Sequence, residues 1–135
     1  MTHTNAMLVA HPRSPDIEPA LLTSCIQACF DALQSCTACA DACLSEPTAG
    51  DLVRCIRLNE DCADVCLATG RVLSRLTESN HDLLDAMLKA CACACEVCAQ
   101  ECERHEGDME HCRLCALACR NCERACGEAL NALRA

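Results

Sequence analysis

Residues Cys112 to Cys126 read CRLCALACRNCERAC, with cysteines at 112, 115, 119, 122 and 126, at intervals of three, four, three and four. On an α-helix, residues three and four apart share a face, so these five thiols form one stripe. Such a stripe is a ligand surface as well as the inward side of a helix. Its meaning depends on whether other segments supply stripes to face it.

They do. Cys25, Cys29, Cys36, Cys39 and Cys43 fall within about 80° of arc when each residue advances about 100°, with Ala32 in the one vacant slot. Cys55, Cys62 and Cys66 share a face that Leu73 and Leu76 continue. Leu84, Met87 and Leu88 lead along one side into Cys91, Cys95, Cys98 and Cys102. Cys93 points roughly 160–200° away from Cys91 and Cys95 on a regular helix, so it is either outside the core or on a local distortion, and its role in metal binding is left open.

Punctuation between the stripes predicts four helices. Asp16 is placed to cap a helix that carries Glu18 and Pro19 in its first turn and runs to about Leu44. Ser45 to Gly50 is a turn, with Thr48 capping a second helix that ends near Leu76. Ser79 or Asn80 caps a third, and a very short link follows, with Gly107 at its C′ position and Asp108 as the N-cap of the fourth. Residues 1–15, with His3, His11, Pro12 and Pro15, read as a tail with a short helical turn at Ala6 to Ala10. The predicted fold is all-α: an antiparallel up-down-up-down four-helix bundle over residues 16–135, one domain with a cysteine-lined core and a short N-terminal extension.

Antiparallel order makes the two ends of this bundle chemically different. Leu21, Leu22, Leu73, Leu76, Leu84, Met87, Leu88, Leu130 and Leu133 gather at one end as an apolar plug. Cys43, Cys55, Cys102 and Cys112 lie toward the other, with His105, Met109 and His111 beyond them. That second end is the expected entry for metal.

The chain has 18 cysteines in 135 residues, one Phe, no Trp or Tyr, and a formal net charge of −9. Acids outnumber bases 20 to 11, which argues against a nucleic-acid partner. His11, Pro12, Arg13 and Asp16 interrupt any apolar run near the start, so neither a signal peptide nor a membrane span is expected. The reading is cytoplasmic, where thiols stay reduced and cysteine at this density points to metal instead of disulfides.

Seven C-x-x-x-C and four C-x-x-C pairs recur along the chain. Helical neighbours four apart have Cβ atoms about 5–6 Å from each other. An ion bridging two thiolates needs sulfurs about 4–5 Å apart on the zinc–sulfur scale, so small rotamer changes suffice. Tetrathiolate zinc sites would each bury about two negative charges in a protein that is already acidic. Copper(I) is soft, accepts two or three thiolates, and at about one ion per thiol leaves the core nearly neutral. Loading must remove protons from the thiols.

These stripes resemble the bacterial copper storage proteins, cysteine-packed four-helix bundles, and the resemblance runs over residues 16 to 135. It implies storage or sequestration of many copper(I) ions without catalysis, a cytosolic location, and a homotetramer. It implies ligands at Cys25, Cys29, Cys36, Cys39, Cys43, Cys55, Cys62, Cys66, Cys91, Cys95, Cys98, Cys102, Cys112, Cys115, Cys119, Cys122 and Cys126. Mouth histidines and methionines assist in such bundles, and His105, one turn beyond Cys102, is the first candidate, ahead of Met109 and His111.

Plainer readings stand beside this one. Buried cysteine can serve as a small hydrophobe, and interhelical disulfides or a thiol-redox role would also use an even thiol count. A general zinc buffer is a third alternative. Met87 reads as core filler and the histidines as solvated loop residues. Ile26, Phe30, Leu33 and Leu44 form an apolar flank off the stripe, with Leu117 on the far side of its own helix, suited to subunit contact or cover by the tail. No Ser/His/Asp set is legible, and no enzyme is expected.

Overall fold

The computed structural model describes residues 2–135, and its regular structure is entirely helical. Helix α1 spans Thr4–Ala10, α2 Pro19–Leu44, α3 Val53–Leu73, α4 His81–Glu103 and α5 Glu110–Arg134, with a 3₁₀ turn at Ala49–Asp51 before α3. Helices α2 to α5 form the all-α, cysteine-cored bundle expected from the stripes. Each packs against two neighbours: α2 and α4 both contact α3 and α5.

Cross-helix sulfur contacts fix the register. Cys25 meets Cys126 and Cys39 meets Cys112, so α2 and α5 run antiparallel. Cys55 meets Cys102 and Cys66 meets Cys91, giving the same relation for α3 and α4. On one diagonal, Cys29 meets Cys91 and Cys36 meets Cys98, so α2 and α4 run parallel. Four stripes therefore face one axis.

The helix starts differ in detail from the expected ones. Glu18, not Asp16, is the N-cap of α2, accepting from the backbone N–H groups of Ala20 and Leu21 at 3.2 Å each, with Pro19 in the first turn. Asp16 instead bonds His81 Nε2 at 3.1 Å, tying the N-terminal segment to the start of α4. Thr48 precedes the 3₁₀ turn without a side-chain cap, and α3 begins only at Val53. It ends at Leu73 instead of Leu76. Asn80 caps α4 by accepting from Leu83 N–H at 3.0 Å. Met109, not Asp108, stands at the N-cap of α5, with no side-chain bond.

The apolar end is filled by leucines. Leu22, Leu73, Leu84 and Leu88 are buried there with Ala129, and Leu21, Leu76, Leu130 and Leu133 pack around them half-buried. Ile17, from the segment before α2, is also buried in this core. Met87 is half-buried. Arg134 closes the same end with bonds of 2.7 and 3.2 Å to Asp85, joining the last turn of α5 to the first turns of α4.

Helix α1 lies on α2. Leu8 is buried, and polar ties at its edge run from Thr23 Oγ1 to Asn5 Oδ1 at 3.4 Å and from Gln27 Nε2 to Thr2 Oγ1 at 2.7 Å. Of the flank residues, Ile26 is buried, while Phe30 and Leu44 remain exposed, as does Leu117. Phe30 lies over Gly70 of α3, where a Cβ would stand only 2.9 Å from the ring. No helix is long and apolar enough to cross a membrane among the described residues.

Candidate metal centre

All cysteines of the four stripes are buried, most of them completely, and each is a free thiol. Small apolar side chains such as Ala at these positions would also suit a helical core. Thiols there leave a column of donors at contact distance. From the plug outward, Cys25–Cys126 is 3.8 Å, Cys29–Cys91 3.9 Å, Cys66–Cys95 3.7 Å and Cys62–Cys95 3.7 Å between sulfurs. Next come Cys36–Cys119 at 3.5 Å and Cys36–Cys115 at 3.8 Å, then Cys39–Cys112 and Cys55–Cys102 at 3.9 Å each.

Several groups hold their donor atoms mutually within 4.8 Å: Cys29, Cys91, Cys122 and Cys126; Cys66, Cys91, Cys95 and Cys122; Cys36, Cys98, Cys115 and Cys119; Cys39, Cys102 and Cys115; and Cys39, Cys43, Cys112 and His111. Cys91, Cys122, Cys39 and Cys115 each appear twice, so neighbouring groups share sulfurs. Shared thiolates are what a chain of two- or three-coordinate soft ions requires. Opening these contacts by a few tenths of an ångström brings them to the roughly 4–5 Å spanned by two metal–sulfur bonds.

Ionisation without cations is uneven along this column. Cys122 is held down at about 2, first by the thiol of Cys126 and then by Cys29, whereas Cys29 and Cys126 are pushed far up by supporting it. Cys25 falls to about 5 through Cys126, and Cys102 to about 5 through Cys115. Burial, followed by the charges of Cys39 and Cys55, pushes Cys43 and Cys112 up. The core sustains only scattered thiolates unless positive ions enter with the loss of protons.

Asn59 is the core residue missing from the expected ligand set. It is completely buried on α3, and its Oδ1 accepts from Cys98 and Cys115 at 3.1 Å each, while Nδ2 stands 3.6 Å from Cys55 Sγ. Its spacing signals the placement: Cys55, Asn59, Cys62 and Cys66 follow the same rhythm as the other stripes.

At the open end the structure reverses the order of the mouth candidates. His105 is turned to Glu101, with Nε2 3.0 Å from Oε2, and joins none of the donor groups among the described residues. The Glu101 side chain is only 8% exposed and is further compensated by Arg104 at 3.1 Å and Arg54 at 3.5 Å, which holds this arrangement in place. His111 is the imidazole that faces thiols: Nδ1 lies 3.4 Å from Cys39 Sγ and 3.6 Å from Cys112 Sγ, and Nε2 3.2 Å from Glu46 Oε1. Met109 packs half-buried against the core and lines an outer groove with His105, Glu46, Asp51 and Asp108. Cys93 points outward and is exposed.

Fold and site together define a helical bundle whose interior is a continuous soft-metal ligand surface. The chain matches the copper storage protein family model over residues 19–131, and it belongs to that family. It is similar to the copper storage protein Ccsp of Streptomyces lividans, solved with 10 copper equivalents, at 50% identity and a TM-score of 0.94, covering 96% of this chain and 98% of that one. Similarity extends to a structure of the cytosolic copper storage protein of Streptomyces lividans holding five coppers, at 55% identity, a TM-score of 0.82 and coverage of 83% and 93%. The uncharacterized cysteine-rich protein YhjQ of Bacillus subtilis (strain 168) is 35% identical over 103 residues, 76% of this chain and 90% of its own length.

Proposed function

We propose that this protein stores copper(I) in the cytosol, with the buried thiols as ligands and no catalytic step. The observation that carries the reading is the set of facing sulfurs at 3.5 to 4.0 Å, with Cys91, Cys122, Cys39 and Cys115 each shared between two donor groups. Every stripe cysteine from Cys25 to Cys126 takes part, and Cys93, on the outer face, does not. Asn59 adds an amide oxygen midway, and His111 adds Nδ1 at the mouth. His105 and Met109 line the approach.

Reduced protein titrated with copper(I) beside a competing chelator is expected to take up tight equivalents near one per buried thiol. A plateau at one or two ions would sink the reading. Thiol counting on protein isolated without reductant separates it from a redox role, since a store predicts free or metal-bound thiols. Homotetramer assembly is the further implication of family membership, and exposed Phe30, Leu114 and Leu117 supply apolar surface suited to it. Sedimentation of the reduced protein tests that arrangement.

A further inference from the structure

Glu101 is the only charged residue buried among the described residues. It lies near the open end of α4, next to Cys102, and three basic groups meet it: His105 Nε2 at 3.0 Å, Arg104 at 3.1 Å and Arg54 of α3 at 3.5 Å. Burying a carboxylate is costly unless it is paired and hydrogen-bonded. The two arginine side chains are 69% and 70% exposed, where ion pairs contribute little stability, so the cluster is a poor staple for the fold. The imidazole, 20% exposed, is the sheltered partner.

Contact through Nε2 orients the ring. With Nε2–H donating to Glu101 Oε2, the neutral imidazole keeps its lone pair on Nδ1, and no hydrogen bond among the described residues engages that atom. A carboxylate behind an imidazole fixes its tautomer and raises its basicity as a ligand. His105 nevertheless belongs to no donor group, and it lines the outer groove with Glu46, Asp51, Asp108 and Met109. Met109 N–H donates to His105 O at 3.0 Å, so a thioether leaves the chain one turn from the imidazole. An oriented nitrogen with so few companions holds a soft ion only briefly. That suits passage, because a transit site must admit an ion and then let it go.

We propose that Glu101 is a positioning residue for copper(I) entry, holding His105 with Nδ1 free as a relay between solvent and the group that contains His111, Cys39 and Cys112. Glu101 binds no ion and acts through the ring. In the step it serves, an incoming copper(I) forms one bond to His105 Nδ1. That bond breaks as bonds to Cys39 and Cys112 form, and the two thiol protons leave to solvent. Copper stays monovalent throughout. Arg54 ties the carboxylate to α3, so two helices set where the relay stands. This role rests on the reading of the thiols as a copper(I) store.

Stopped-flow mixing of the reduced, metal-free full-length protein with copper(I) on a coloured chelator follows entry as loss of the chelate absorbance. Glu101→Gln is expected to slow the first equivalents by roughly 10-fold and to reach the native copper count. His105→Ala slows them to a similar extent, and the double variant is no slower than either single one, since both remove the same relay. Asp61→Asn deletes a half-exposed carboxylate on α3 that pairs with Arg57 and leaves the rate unchanged, which separates positioning from loss of overall negative charge. Circular dichroism verifies that each variant retains its helices. Native speed in His105→Ala, or in folded Glu101→Gln, overturns the proposal, as does a double variant slowed by the product of the single effects. His105→Ala alone decides the matter if Glu101→Gln fails to fold. Native protein that stops at one or two coppers overturns the store and the relay with it; protein that fills normally, with every variant at native speed, overturns the relay alone.

Discussion

Asn59 has no exposed surface, and three cysteine thiols donate to its Oδ1, Cys98 and Cys115 at 3.1 Å and Cys102 at 3.8 Å. Truncation leaves those thiols and a small void without a partner, so Asn59→Ala is expected to lower the stability of the metal-free protein by about 1–3 kcal/mol, read by denaturant unfolding under reductant. The residue was hard to pick out because an amide at a stripe position looks like a surface residue until its slot between Cys55 and Cys62 is counted. The thiols themselves were legible from spacing alone, because one thiol every three or four residues leaves the helix a single face to put inside. His105 and His111 were legible only as neighbours of the mouth. Their roles turn on Glu101 and Cys39, which approach through tertiary packing that a helical wheel does not contain. Cys93, out of phase with its neighbours, lies outside the core as one horn of the sequence reading allows.

At the level of elements, α4 carries two materials on one face, Leu84 and Leu88 followed by four cysteines. Leu88 is fully buried in the plug, so Leu88→Ala should destabilise the metal-free bundle by about 2–5 kcal/mol, measured by denaturant unfolding. Copper should offset much of that loss, because ions bound only by the folded state add stability by mass action. The Arg134 bonds to Asp85 tie α5 to α4, and they hold the Asp85 carboxyl at about 2, with Lys89 contributing less. A depressed carboxyl stabilises the fold above its ordinary value near 3.9 and loses that contribution as pH falls through about 2. Thermal unfolding should show Asp85→Asn less stable than the native protein at pH 6, with the two converging near pH 2. Helix boundaries were read less well than helix identities. Glu18 displaced Asp16 as a cap because Pro19 fits the first helical position, and the 3₁₀ turn at Ala49–Asp51 consumed residues assigned to α3.

For the whole molecule, filling the column exchanges protons for positive ions. Copper(I) loading at constant pH should release close to one proton for each neutral thiol that becomes a ligand, recorded in weakly buffered solution, and affinity should fall as pH is lowered. The leucine end bears on this from another direction. It closes the bundle with no contribution from metal, so the empty protein is already a shaped vessel and unfolding is not a step in filling it. Reaction with a thiol reagent then becomes a clock. Cys93 should modify within the mixing time, and every other cysteine should wait for the helices to part, so the slow phase of one absorbance trace reports how often the vessel opens.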